Sequence, residues 1–166
     1  MNPRRRLAVY GVPGALAIVL LLVAAAYLRP GGGGVEAAVP AVDAKTGRIC
    51  RALAHDLPDT VAGLKRRATD PSSPLTAAWG DPAIVLRCGV PRPAEMNSAG
   101  AVGADLKGVG WMLGSRVVDG RHLCTTTLRE IYVEVSVPTR YGDVFALEGL
   151  AAAVRKNVPE GISDQS

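Results

Sequence analysis

Leu7 to Leu28 reads LAVYGVPGALAIVLLLVAAAYL, 22 residues without a charged side chain. As a helix this run spans roughly 33 Å, enough to cross the hydrocarbon core of a bilayer. Arg4, Arg5 and Arg6 precede it, and the positive-inside rule then keeps the N-terminus in the cytoplasm and sends the remainder across. Tyr10 and Tyr27 fall near its two ends, at the depth where amphipathic rings suit the interface. A cleaved secretory signal would share these features, with Ala24-Ala25-Ala26 as its small-residue site. The run exceeds the usual signal core of about 7–15 residues, which favours an uncleaved anchor. The expectation is a single-pass cell-membrane protein in which residues 1–29 are the basic start and signal anchor. The C-terminal domain then lies outside the cytoplasm.

Charge supports that division. The formal net charge is +4, and Arg4, Arg5, Arg6 and Arg29 supply all of it. From Pro30 onward 15 basic residues meet 15 acidic ones. A nucleic-acid-binding domain carries its basic patch in the folded part, so nucleic acid is excluded as a partner. Residues 30–42, opening with Gly31-Gly32-Gly33-Gly34, read as a flexible linker. Residues 43–159 are long enough for one modest core, and 160–166 read as a flexible tail.

Within the domain, Cys50, Leu53, Ala54 and Leu57 recur at helical spacing, with Asp43 or Thr46 as cap and Pro58 as stop. A short second helix is expected over Asp59–Arg67. Ala83–Cys88 reads as a strand with Ile84, Leu86 and Cys88 on one side and Val85 and Arg87 on the other. Pro91–Gly110 reads as a long connection. Trp111–Val118 and His122–Thr127 form a hairpin about Asp119-Gly120. Ile131–Val137 alternates, with Ile131, Val133, Val135 and Val137 inward and Tyr132, Glu134 and Ser136 outward. A last helix spans Asp143–Asn157, burying Val144, Leu147, Ala151, Val154 and Val158, and Pro159 closes it. The fold class that follows is α+β: an antiparallel sheet with helices packed on one face.

Three cysteines leave at least one unpaired in a monomer. In an exported domain a disulfide is the default. Cys50 on the helix stripe and Cys88 on the apolar side of a strand make the favoured pair, with Cys88–Cys124 and no bridge as alternatives. There is no C-x-x-C, and His122-x-Cys124 is not a standard zinc spacing, so no metal is expected. Neither G-x-S-x-G nor H-E-x-x-H occurs, and no motif calls for a cofactor.

The exported part holds five aromatics: Trp79, Trp111, Tyr132, Tyr141 and Phe145. Trp79, Asp81, Arg87, Trp111, Arg129 and Tyr132 could together line a groove on the sheet, since Arg, Trp and Tyr favour recognition sites. The competing arrangement packs both tryptophans between sheet and helices and pairs Arg87 and Arg129 with Asp81 or Glu134. The function expected is a cell-envelope binding or interaction module whose partner is an envelope protein or a cell-wall precursor. Two alternatives stand beside it. One is an enzyme acting on an envelope substrate with Asp81 or Glu134 as acid or base. The other is an assembly factor that works through its membrane helix.

The chain also resembles the family called Domain of Unknown Function 3515. The resemblance rests on Cys50 ahead of Leu57-Pro58, on Ala78-Trp79-Gly80-Asp81-Pro82, on Leu86-Arg87-Cys88-Gly89-Val90, on Trp111, and on Arg129 followed by Tyr132-Val133-Glu134-Val135 and Pro138. The stretch from Trp79 to Val90 is its most specific part. It implies an actinobacterial, membrane-anchored exported protein without an assigned activity, and it assigns no catalytic residues. Cys124 departs from the family pattern.

Overall fold

The alternating segment around Ile131–Val137 forms a strand deep inside a sheet, and the rest of the domain is built outward from it. The structure, a computed structural model, describes residues 33–114 and 117–163. The expected anchor, Leu7–Leu28, lies outside the described residues. Among those described, no helix is long and apolar enough to cross a membrane. In chain order the first strands are β1 (Val35–Glu36), β2 (Thr60–Val61), β3 (Leu64–Arg67), β4 (Thr69–Asp70), β5 (Thr76–Trp79) and β6 (Ile84–Val90). They are followed by β7 (Val102–Leu106), β8 (Val109–Leu113), β9 (Val117–Val118), β10 (Arg121–Thr127) and β11 (Tyr132–Pro138). The helices are α1 (Ala44–Asp56) and α2 (Asp143–Asn157), and a 3-10 turn occupies Ala94–Asn97.

One antiparallel sheet runs β2-β3-β5-β6-β11-β10-β8-β7, with β9 also pairing β10. β1 and β4 make a separate parallel pair. Across the centre, Val133 faces Cys88, and Val135 faces both Leu86 and Cys124. These side chains join Trp79, Ile84 and Trp111 in one core with Cys50 and Leu53 of α1 and Leu147, Leu150 and Val154 of α2. Both helices therefore cover the same face, the inner one, and the α+β class holds. The Cys50–Cys88 disulfide joins α1 to β6 on that face.

Local chemistry explains the helix limits. Asp43 Oδ1 accepts a 2.6 Å hydrogen bond from the Thr46 amide, which satisfies a donor that the helix start leaves free. That bond holds the Asp43 carboxyl below its usual pKa. Val42 and Thr46 also sit close to β6, because Gly89 lies in a bulge at φ +85°, where Tyr132 pairs with Val90. A Cβ on Gly89 would come within 2.5 Å of Val42 Cγ1 and 2.9 Å of Thr46 Cγ2, so a larger residue there would force those side chains to shift and would be strained at that φ.

Several expectations are corrected. Asp59–Arg67 is not a helix but the β2–β3 hairpin, because Ala62 and Gly63 both take positive φ, 49° and 76°, and turn the chain back. The Pro91–Gly110 connection contains β7 and the start of β8, paired about Lys107-Gly108. Trp111–Val118 is not continuous: β8 ends at Leu113 and β9 resumes at Val117. The spacer contributes β1, and Ala37 is buried. The tail is tied at its root, where Gly161 donates to Leu128 O at 3.1 Å. Val144 is exposed, since the buried arc of α2 centres on Leu147, Leu150 and Val154, about a quarter turn away.

Candidate binding face of the sheet

The six residues expected to share a groove occupy different places. Trp79 and Trp111 lie on the inner face and are fully buried. Trp79 Nε1 donates to Pro58 O at 2.9 Å, and the Arg66 guanidinium sits 5.6 Å from the Trp79 ring centroid, within cation–π range. Trp111 Nε1 has no hydrogen-bond partner among the described residues. Asp81 stands in the exposed turn before β6, with Oδ1 3.8 Å from Arg67 Nη1, and its main-chain oxygen accepts from the Tyr141 hydroxyl. Arg129 is 3% exposed. It donates from Nη1 to Val158 O and from Nη2 to Gly108 O, both at 2.9 Å, and Nη2 lies 3.6 Å from Glu160. That arginine clamps the C-terminal segment to the β7–β8 turn. Arg87 and Tyr132 remain on the outer face, where Glu134 joins them.

This outer face is less open than alternation implies. Tyr132, placed outward in the sequence, is 3% exposed, Glu134 is 9% exposed and Thr125 is 1% exposed. Among the described residues no α-helix covers them; two connecting segments, which include β1 and the 3-10 turn, do. On one side runs Val35–Ala38, held to the β4 strand by Val35 N–H to Ala68 O at 2.8 Å and Ala37 N–H to Asp70 O at 3.0 Å. On the other runs Pro91–Ala101, which must cross β11, β10 and β8 to carry the chain from β6 to β7.

Beneath the first segment is a cavity of about 570 Å³ floored by Val85, Arg87, Arg121, Leu123, Glu134 and Ser136. Arg87 donates from Nε and Nη2 to the same Glu134 oxygen, Oε1, at 2.9 and 2.7 Å. Charge-assisted bonds of this kind fix both side chains. Arg121 donates from Nε to Ser136 Oγ at 2.6 Å and from Nη2 to Ser136 O at 3.2 Å, and also to Ala83 O. Burial lowers the Arg121 pKa from its ordinary value. Beside the second segment is a smaller, mostly apolar cleft of about 290 Å³ between Arg92, Met96, Val102, Met112, Leu128 and Tyr132. The Arg92 guanidinium is aimed by two neutral oxygens, Tyr132 Oη at 2.7 Å and Asn97 Oδ1 at 3.2 Å. Thr125, opposite both Glu134 and Met112 in register, lies between the two hollows, and its hydroxyl has no hydrogen-bond partner among the described residues.

This face combines fixed donors, one charged pair, a mixed polar and apolar cavity and a mostly apolar cleft. Among the described residues, each carboxylate considered as an acid or base has an arginine as its side-chain partner, Arg67 for Asp81 and Arg87 for Glu134. Asp81 lies out in solvent, and one oxygen of Glu134 takes both Arg87 donors. Thiol chemistry finds no support, because burial pushes the Cys124 thiol up to about 11, so the nucleophilic thiolate is scarce. His122 Nδ1 is 3.3 Å from Gly114 O and 3.9 Å from Asp143 Oδ2. Among the described residues no cluster of three His, Cys, Asp or Glu side chains could hold a metal ion.

Sequence reasoning missed Arg92, Arg121 and Met112. Arg121 and Leu123 follow the Asp119-Gly120 turn in alternation and could have been read as outer-face residues. Nothing local marks Arg92 or Met112, whose meeting depends on the crossing of Pro91–Ala101. No curated protein and no solved structure matches the sequence. The family model for proteins of unknown function, DUF3515, matches residues 12–162, and the chain belongs to that family.

Proposed function

We propose that this protein is a membrane-anchored, extracytoplasmic binding module that receives an envelope protein or a cell-wall precursor on the outer face of its sheet. One observation carries the reading. A sheet face on which the described residues lay no α-helix is flanked by two connecting segments, and the hollow between strand and segment holds the prearranged Arg87–Glu134 and Arg121–Ser136 contacts. Binding sites are commonly preformed hollows in which fixed polar groups set the orientation of a ligand, and here Arg87, Arg121, Glu134 and Ser136 share the floor with Val85 and Leu123. Export is supported by the Cys50–Cys88 disulfide, since structural disulfides belong mainly to oxidising compartments, and by the Leu7–Leu28 run.

The test uses the full chain in its native membrane. A photo-cross-linking amino acid at Val85, on the cavity floor, should yield a discrete adduct that weakens with Glu134→Gln. The same amino acid at Phe145, exposed on α2, should yield none. Identical patterns from the two positions, or no adduct from Val85, would remove the binding face from consideration. Topology is checked separately with Ile162→Cys, at a highly exposed position. A membrane-impermeant maleimide should label it in intact cells. Labelling only after permeabilisation would reverse the orientation.

A further inference from the structure

We infer that the smaller cleft is a site for the C-terminal end of an extended, apolar partner peptide, which adds to the free edge of β7 and places its carboxylate on Arg92. Three features converge on that occupant.

The first is the edge. β7 ends the sheet, and no strand of the described chain lies beyond it. Such an edge presents main-chain donors and acceptors to an incoming strand. Natural sheets blunt their edges with prolines or dense charge, yet β7 is Val-Gly-Ala-Asp-Leu with a single charge.

The second is the continuity of edge and cleft. Val102 and Gly103 of β7 line the cleft together with Met112. Gly103 pairs with Met112 across the ladder, so both lie on the outer face. A strand added beside β7 would send alternate side chains to that same face. Its last apolar side chain would meet Met96, Met112 and Leu128. The open position at Gly103, where a Cβ would meet only Trp111 O, at 3.7 Å, leaves that path clear.

The third is charge. Arg92 is the one charged residue in the lining, and its two contacts, Tyr132 Oη and Asn97 Oδ1, are neutral. They orient the guanidinium without neutralising it, and a fixed guanidinium with no carboxylate partner among the described residues fits a carboxylate. Leu128 is 75% exposed and sits at φ 55°, a conformation that costs a branched residue energy. An apolar side chain held out over the cleft mouth at such a position has a use if something apolar covers it. A volume of about 290 Å³ suits one large side chain and a carboxylate rather than a continuous chain. Backbone pairing, an apolar pocket and carboxylate capture together make strand addition by a chain end.

This site stands apart from the Arg87–Glu134 cavity, and either can fail without the other. The experiment uses full-length protein in detergent micelles. The probe is a pool of acetylated pentapeptides, random in the first four positions, with Leu, Ile, Val or Phe at a free C-terminus. Capture of the free-acid pool should exceed capture of the matching C-terminal amide pool by at least about tenfold. Arg92→Gln should abolish the difference, and methylating the backbone nitrogens of captured peptides should abolish binding. Glu134→Gln should leave capture unchanged, which separates this site from the proposed function. Equal capture of acid and amide pools, or no capture of either, overturns the inference. Binding that persists with methylated peptides and is competed by a simple fatty carboxylate overturns it in favour of a small amphiphile. Concentration-dependent dimers that Arg92→Gln leaves intact, with no peptide bound, overturn it in favour of β7 pairing between two copies.

Discussion

Asp56 in the last turn of α1 accepts a 2.8 Å hydrogen bond from Asn157 in the last turn of α2, two residues 101 positions apart in sequence. Lys156 Nζ lies 2.9 Å from the same oxygen. The two helices are thus tied at their C-terminal ends by one carboxylate, while their bodies meet through the core.

That tie makes stability acid-sensitive. The Asn157 bond first, then Lys156 and His55, hold the Asp56 pKa well below its ordinary 3.8. A carboxylate whose pKa falls on folding adds stability that is fully present above the unfolded value. The contribution is lost as pH drops toward the folded value. Unfolding midpoints in urea, measured from pH 6 down to pH 2, should therefore decline more steeply for the parent than for Asp56→Asn. Parallel curves would show that the tie has no energetic weight.

Arg129 should be the most costly polar side chain to remove. Arg129→Met keeps much of the volume but leaves Val158 O and Gly108 O without their donor. The expected loss is about 3 kcal/mol, read as a lower urea midpoint at unchanged m-value. Arg129→Lys should recover only part, because one ammonium cannot reproduce a planar fork that bridges two carbonyls. Full recovery by lysine would mean that charge alone matters there.

The disulfide closes a loop with a sequence separation of 38. In the chain-entropy model, removing such a crosslink costs about 4 kcal/mol. The double variant Cys50→Ala with Cys88→Ala should unfold at a correspondingly lower denaturant concentration. A loss under about 1 kcal/mol would mean that the unfolded chain already keeps this region together.

Cys124 should be silent in the native protein. It is fully buried, and burial raises its pKa to about 11. An alkylating reagent at pH 8 should label no thiol in the folded state, one after unfolding without reduction, and three after unfolding with reduction. Rapid native labelling would place Cys124 near an opening that the static fold does not contain.

Much of the scaffold was legible from local signals. Asp43, Pro58 and Pro159 punctuate the helices, Asp119-Gly120 marks a hairpin, and the apolar sides of β6 and β11 follow from alternation. The favoured Cys50–Cys88 pairing follows from the apolar stripe of α1 and the apolar side of β6. Failures came where a local pattern was overridden. Ala62-Gly63 lacks the Asn or Asp that usually signals a two-residue turn, and Lys65-Arg66-Arg67 hides the alternation of β3. Alternation puts Tyr132 and Glu134 on the outer side, but covering by Val35–Ala38 and Pro91–Ala101 is a property of chain crossing, which no residue spacing records. The sequence offers Arg129 only as a groove residue or a partner of Asp81 or Glu134, because the carbonyls it serves lie 21 and 29 residues away.

The Cys50–Cys88 bond also decides how a mechanical pull would travel through the domain. Tension entering from the N-terminal side first meets β1, whose pairing with β4 spans two residues, and then α1. At Cys50 it transfers covalently to Cys88, in a strand flanked by β5 and β11. Residues 51–87, with β2 to β5, are thereby taken out of the line of force. A tethered domain wired in this way would yield first at β1, uncovering the Arg87–Glu134 cavity that Val35–Ala38 lines while the central sheet stayed intact.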